Sequence, residues 1–325
     1  MNKGFSHILL LLIIPIVIVA GYFAYKAGVI KIGKPVTTDT LLVATASPTP
    51  SPTDTSTASP TPTPVITPSP TPKPTASPTA KPTAAPVSGP PGSGLSTINV
   101  HTDKGNFTAT VMSFDLGNTR VITDSANDSE CTSNCPVNNV SGFVSKNGGF
   151  AGVNGTYFCP AEPAYASCGQ NNSFDFSFYN TRLNHWINQG NLGYSGRALV
   201  YFDGSGAHYM QNAGGFGGSL NAGLAMSPGL VDGGNVQIDD NQSGLSDKQK
   251  SVGLKEGIGI IGSNKVMIVV AQNVNMQQFA YVFKALGATG AMNLDEGGST
   301  AMYYQGRYIF GPGRNVPNAI IFASK

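Results

Sequence analysis

The sequence predicts a single mixed α+β domain, sheet-dominated with few helices, over residues 96–325. Three observations carry that reading. Short runs of alternating apolar and polar residues recur from Ile98 onward, with glycine and asparagine at their junctions. One segment, Asn275 to Leu286, spaces its apolar residues as a helix does. Upstream, the composition can build no core, since 16 of the 23 prolines lie between Pro35 and Pro91.

Taken in order, INVHTD, FTATVMSFD and TRVITD read as strands joined by turns at Lys104-Gly105-Asn106 and Gly117-Asn118. Val140 to Lys146 fits a short helix closed by Asn147-Gly148, and Phe150 to Asn154 a buried strand. A cysteine-bearing loop follows, then the strands RALVYFD and AHYMQ. Asp232, in Val231-Asp232-Gly233-Gly234, belongs to a hairpin turn. GIGIIGS and KVMIVVA make a hairpin through Ser263-Asn264. In the helix that follows, Met276, Phe279, Ala280, Phe283 and Leu286 share one face, Asn275 caps the start and Gly287 ends it. Strands over Ala291–Leu294, Thr300–Tyr304, Arg307–Phe310 and Asn318–Ala323 complete the domain.

Residues 8–25 form an uncharged run of 18, near the lower bound of about 17–25 for a membrane-spanning helix. Residues 1–34 therefore read as an uncleaved transmembrane signal anchor with its flank, because no small-x-small cleavage site follows the run. Residues 35–95 read as a disordered Pro/Thr/Ser-rich linker, extended at about 3.1 Å per residue. Lys26, Lys31 and Lys34 follow the span and favour a cytoplasmic C-terminus. The long tether and the clustered cysteines outweigh them, giving a single-pass protein whose C-terminal domain is extracytoplasmic.

All four cysteines, Cys131, Cys135, Cys159 and Cys168, fall within 38 residues. Cys131–Cys135 and Cys159–Cys168 is the preferred pairing of three connectivities, and no metal site is expected. Residues 96–325 hold 13 Lys and Arg against 15 Asp and Glu, so the basic balance belongs to the N-terminal region. With no basic stripe, nucleic acid is not an expected partner. Charged residues make up 11% of the chain, against roughly 25% in typical proteins, and the amide- and hydroxyl-rich remainder suits a carbohydrate-facing surface.

The segment from Ala291 to Phe322 concentrates chemistry. An apolar strand runs into Asp295-Glu296-Gly297-Gly298-Ser299-Thr300, where two glycines let the backbone turn and present N–H groups to an anion. Arg314 follows, then Pro317-Asn318-Ala319 and a closing apolar strand. With Asn293 and Asp295 ahead of the turn, this segment resembles the C-terminal signature of the phosphodiester glycosidase family, which includes the lysosomal uncovering enzyme. AGVNGTYF (Ala151–Phe158), GLAMSPGLVDGGNV and GLKEGIGIIGSNKVMIVV resemble its upstream signatures, so the resemblance spans roughly Ile98 to Ala323. Two positions depart from the family pattern: Glu296 stands at the first glycine of the turn, and Lys255 stands where the family carries arginine.

The resemblance implies attack at the anomeric carbon of a sugar-1-phosphodiester in glycans or cell-wall polymers, with no cofactor. A phosphate monoester leaves readily, so the site needs charge stabilisation more than protonation of the leaving group. Asp295 is the first candidate for the catalytic carboxylate and Glu296 the second. Lys255, Arg314, Gly297, Gly298, Ser299 and Thr300 are candidates for the phosphate, and Asn154 for sugar hydroxyls. The alternative is a non-catalytic glycan-binding surface module of the same fold.

Overall fold

In the computed structural model, which describes residues 89–162, 168 and 170–325, the alternating runs pair as antiparallel strands. The anchor expected over 1–34, and all of the linker before residue 89, lie outside the described residues. No helix of the described residues is long and apolar enough to cross a membrane.

Strands β1 (Gly94–Thr102) and β2 (Gly105–Asp115) form a continuous hairpin, and β3 (Thr119–Ser125) follows. Helix α1 (Val140–Lys146) leads into β4 (Ala151–Asn154). Past the cysteine-bearing loop come β5 (Phe178–Asn180), β6 (His185–Ile187), β7 (Ala198–Asp203), β8 (Gly206–Met210) and β9 (Ala222–Met226). The hairpin of β10 (Gly229–Asp232) and β11 (Asn235–Val236) precedes a one-turn helix, α2 (Asp247–Lys250). Then follow β12 (Gly253–Ile261), β13 (Lys265–Val274), helix α3 (Met276–Ala285) and β14 (Gly290–Asn293). Finally β15 (Met302–Tyr304), β16 (Arg307–Phe310) and β17 (Asn318–Ser324) close the domain.

These strands make three sheets. The first is seven-stranded in the order β1-β2-β13-β12-β14-β10-β11; the second is β16-β15-β4-β17-β3, and the third β6-β5-β9-β7-β8. Alternation along β12 decides what each face of the first sheet meets. Ile258 and Ile260 point into a core shared with the other sheets, where Phe114 stacks on Phe322 with ring centroids 3.9 Å apart. Gly257 and Gly259 point the other way and let α3 lie against the strand. A Cβ on Gly259 would stand 2.8 Å from the Phe283 ring, and one on Gly257 3.0 Å from Phe279. Phe279 and Phe283 are fully buried there, each contributing about 1.5–3 kcal/mol by leaving water. A capping box between Asn275 and Gln278 starts this helix, and Gly287, with φ +83°, follows its end.

Helices α1 and α3 and the C-terminal strands stand where the sequence places them, within two residues at each end, and the β12–β13 hairpin turns where expected, though it begins four residues earlier and ends three later. Both expected disulfides, Cys131–Cys135 and Cys159–Cys168, are formed. Strands β5, β6 and β9 and helix α2 were not expected. Each is five residues or shorter, too short to display a period.

Candidate active site

The chain passes from the first sheet to the second through Leu294–Ala301, and the candidate site is built on that crossing. Leu294 still pairs as a strand residue, donating its N–H to the Glu256 carbonyl at 2.9 Å. Asp295 has changed partners and donates to Gly155, just past β4, at 3.0 Å. Asn154 fixes both ends of the crossing. Its amide nitrogen donates to the Asp295 carbonyl at 2.8 Å, and its amide oxygen accepts from the Ala301 N–H at 2.8 Å. Between those anchors Gly297 turns with φ +69°, a conformation that favours glycine, and residues 297–299 form one helical turn. The opening N–H groups of such a turn have no partner inside it.

Arg314 arrives from the far side of the β15–β16 hairpin. Its N–H donates to the Gly298 carbonyl at 2.9 Å, and its guanidinium lies so close to Gly298 that a Cβ there would sit 2.3 Å from Nη2. Glycine at 298 is therefore what lets the guanidinium lie against the turn.

A cavity of about 260 Å³ opens here, walled by Asp295, Glu296 and Ser299 of the turn together with Arg314, Lys248 and Tyr157. Burial pushes the Asp295 carboxyl up to about 7, against the opposing pull of the Ser299 hydroxyl, the Glu296 N–H and the positive charges of Lys248 and Arg314. Burial raises Glu296 as well, and the Lys255 ammonium opposes it from 3.0 Å. The guanidinium of Arg314 makes no ion pair with any described residue. The result is a small, partly desolvated space with two carboxylates on one wall and cationic groups beside them.

Behind the wall stands a third carboxylate. Glu256 is fully buried on β12, and neither of its oxygens has a hydrogen-bond partner. Burial first, then the charges of Asp295 and Glu296, raise its pKa well above the ordinary range, while Thr300 and Asn154 nearby lower it. Eight buried side-chain atoms among the described residues lack a partner, and five of them belong to Glu256, Asn293, Glu296 and Thr300. Unsatisfied polar groups are costly and concentrate where a protein has a use for them.

Of the residues expected from sequence, Asp295, Glu296, Ser299 and Arg314 share the cavity, with Gly297 and Gly298 shaping the turn. Three stand elsewhere. Asn154 is fully buried with its amide committed to backbone, so it positions the turn and does not line the cavity. Lys255 is also buried and bonds to Glu296 and the Lys248 carbonyl, outside the cavity wall. Thr300 has turned its hydroxyl inward, near Glu256. The two departures from the family pattern thus meet as one buried ion pair.

Sequence reasoning missed Tyr157, Lys248 and Gln249 on the cavity wall, and Glu256 behind it. Tyr157 is held by the Asn293 amide at 2.6 Å, and burial raises its phenol pKa. Gln249 arrives on α2, whose capping box with Ser246 was a readable signal. Among the described residues no group of three or more His, Cys, Asp or Glu side chains is placed to hold a metal ion.

The family model for phosphodiester glycosidase matches residues 147–323, a stretch that includes the turn, Lys255 and Arg314. Among solved structures, the chain is similar to the catalytic domain of zebrafish N-acetylglucosamine-1-phosphodiester alpha-N-acetylglucosaminidase, auto-inhibited by its pro-peptide. The identity is 14% and the TM-score 0.54, over 74% of this chain and 87% of that one. A hypothetical protein from Synechocystis matches at 12% identity and TM-score 0.49, over 72% of this chain, which spans 62% of that chain's length. A protein from Burkholderia pseudomallei matches at 12% identity and TM-score 0.41, over 67% of this chain and 74% of that one. No curated protein matches. At such identities the zebrafish structure bears on the fold alone.

Proposed function

Because the chain belongs to the phosphodiester glycosidase family, we propose that it is a hydrolase cleaving sugar-1-phosphodiester linkages in glycans or cell-wall polymers. The observation that carries the reading is the meeting of Asp295, Glu296, Ser299 and Arg314 on one cavity. The phosphodiester anion lies against Arg314, the N–H groups of the glycine turn and the Ser299 hydroxyl. As the bond from the anomeric carbon to the ester oxygen breaks, charge accumulates on the departing phosphate, where these donors already stand.

The sugar left behind becomes cationic and needs a carboxylate. Asp295 supplies it in ionised form, as nucleophile or as base for water, with Glu296 the second carboxylate at the same wall. Water provides the hydroxyl that completes the free sugar, and its proton passes to the carboxylate and then to solvent.

Asp295→Asn and Arg314→Ala should each lower release of free sugar by about a hundredfold or more while the far-ultraviolet spectrum stays that of the wild type. Undiminished release by either variant would remove that residue from the site. A second reading, a glycan-binding module without turnover, is favoured by one feature: Lys255 is bound to Glu296 and not free for the phosphate. Its test is Lys255→Arg combined with Glu296→Gly. Hydrolysis gained from none would establish the binding module as the starting state.

We further propose attachment at the cell surface through residues 8–25, with the proline-rich tract as tether. Protease applied to intact cells should release the domain. A protected C-terminal domain would refute the placement.

A further inference from the structure

Tyr157 shares the cavity wall with Asp295, Glu296, Ser299 and Arg314, and the reaction as proposed leaves it unused. Its hydroxyl oxygen is held between two side-chain amides whose orientations are fixed elsewhere. Asn293 donates from Nδ2 both to the phenol at 2.6 Å and to the Leu294 carbonyl at 2.7 Å. Turning that amide over would set its oxygen against the carbonyl, acceptor facing acceptor, so it is the nitrogen that faces Tyr157. Gln249 accepts from the Ser246 N–H at 3.0 Å through Oε1, closing the capping box of α2, and this leaves Nε2 toward the phenol in a longer contact of 3.5 Å.

A phenol has one hydrogen to donate. Both amides present N–H groups to its oxygen, so that hydrogen serves neither of them, and it meets no acceptor among the described residues. The hydroxyl faces this cavity, since Gln249 beside it is on the same wall and the charge of Glu296 there reaches the phenol. Burial first, then that charge, raises the phenol pKa, so the group keeps its proton at neutral pH. Donors feeding the oxygen strengthen the remaining O–H as a donor in its turn. What it lacks is an acceptor. Ionised phosphate oxygens only accept, whereas a sugar hydroxyl must also place a hydrogen of its own.

We propose that Tyr157 is a further catalytic residue, whose O–H donates a hydrogen bond to an oxygen of the departing phosphate beside Arg314 and the glycine turn. The inference rests on the proposed glycosidase reading. No proton is transferred in this step. The bond from the anomeric carbon to the ester oxygen breaks, its electron pair stays with the phosphate, and the phenol shares its hydrogen with the charge that gathers there.

Tyr157→Phe keeps the ring and removes the donor. Assayed on the methyl phosphodiesters of common hexoses and N-acetylhexosamines, it should lose about tenfold or more in kcat on every diester that the wild type hydrolyses. Calorimetric titration separates this role from a structural one: methyl phosphate should bind the variant about tenfold more weakly, while the free sugar product binds as it does to the wild type. Unchanged kcat or unchanged affinity for methyl phosphate would overturn the inference. So would a loss of affinity for the sugar alone, which would place the hydroxyl on the sugar, or an equal loss for both, which would make Tyr157 a structural part of the wall. If the variant does not fold, a fluorinated tyrosine at position 157 keeps the shape and strengthens the donor; methyl phosphate should then bind more tightly, and unaltered binding would refute the role. A wild type that hydrolyses none of the diesters would instead remove the glycosidase reading, and the catalytic role with it.

Discussion

Replacing Glu256 by Gln should stabilise the protein, and by more as the pH rises. Glu256 is fully buried among core residues such as Ile258 and Met292, and neither carboxyl oxygen is hydrogen-bonded. Ionised in that position it would carry a desolvation penalty, so burial holds its pKa well above the ordinary glutamate range. The charges of Asp295 and Glu296 add to burial in raising the Glu256 pKa. In the unfolded chain a glutamate releases its proton at roughly pH 4.3. Below that pH both states are protonated and Glu256 adds no pH-dependent cost. Above it, the unfolded state gains by ionising and the native state does not. Each further pH unit then removes about 1.4 kcal/mol of stability until the native carboxyl titrates. Glutamine keeps the shape of the neutral acid and removes the dependence. Urea midpoints measured from about pH 4 to pH 8 should coincide at the acid end and diverge upward, with the variant the more stable. Parallel curves would show that Glu256 is ionised in the native protein and would refute the reasoning.

Other expectations follow from the same geometry. If Asp295 acts ionised, kcat/KM for sugar release should rise with pH through a midpoint near 7; a profile that falls across that range would assign Asp295 to proton donation instead. Lys255→Met leaves Glu296 buried without its cation and should lower stability by about 3–5 kcal/mol, most of it regained in Lys255→Met with Glu296→Leu, as read by urea unfolding. Gly298→Ala puts a methyl 2.3 Å from Nη2 of Arg314. It should displace the guanidinium, lowering kcat/KM by about tenfold or more while leaving the melting temperature within a few degrees, and unaltered kinetics would show that the guanidinium need not lie there.

The β12–β13 hairpin and α3 were legible because their periods are long and their ends are marked by caps and turns. The turn at Asp295 was legible as a place, through its glycines and acids. Its internal division of labour was not. Asn154 is polar and sits at a strand end, so it reads as a sugar ligand. Its actual partners are 141 and 147 residues away, which no local pattern exposes. Lys255 and Glu256 are a different lesson. Consecutive strand residues point to opposite faces, so one of two adjacent charges on β12 had to enter the core. Glu256 shares its parity with Ile258 and Ile260, which was a usable signal for the buried acid. The ion pair between Lys255 and Glu296 joins positions that each depart from the family pattern. Only the fold shows that the two side chains meet.

In the proposed reaction the bond that breaks is at the anomeric carbon, with phosphate leaving intact. Hydrolysis of a sugar-1-phosphodiester in oxygen-18 water distinguishes this from attack at phosphorus, because the phosphate monoester does not exchange its oxygens on the time scale of the assay. Cleavage at the anomeric carbon predicts a phosphate monoester free of the heavy isotope, formed by the wild type and lost in Asp295→Asn. Heavy oxygen in the phosphate would mean a phosphodiesterase and would contradict it.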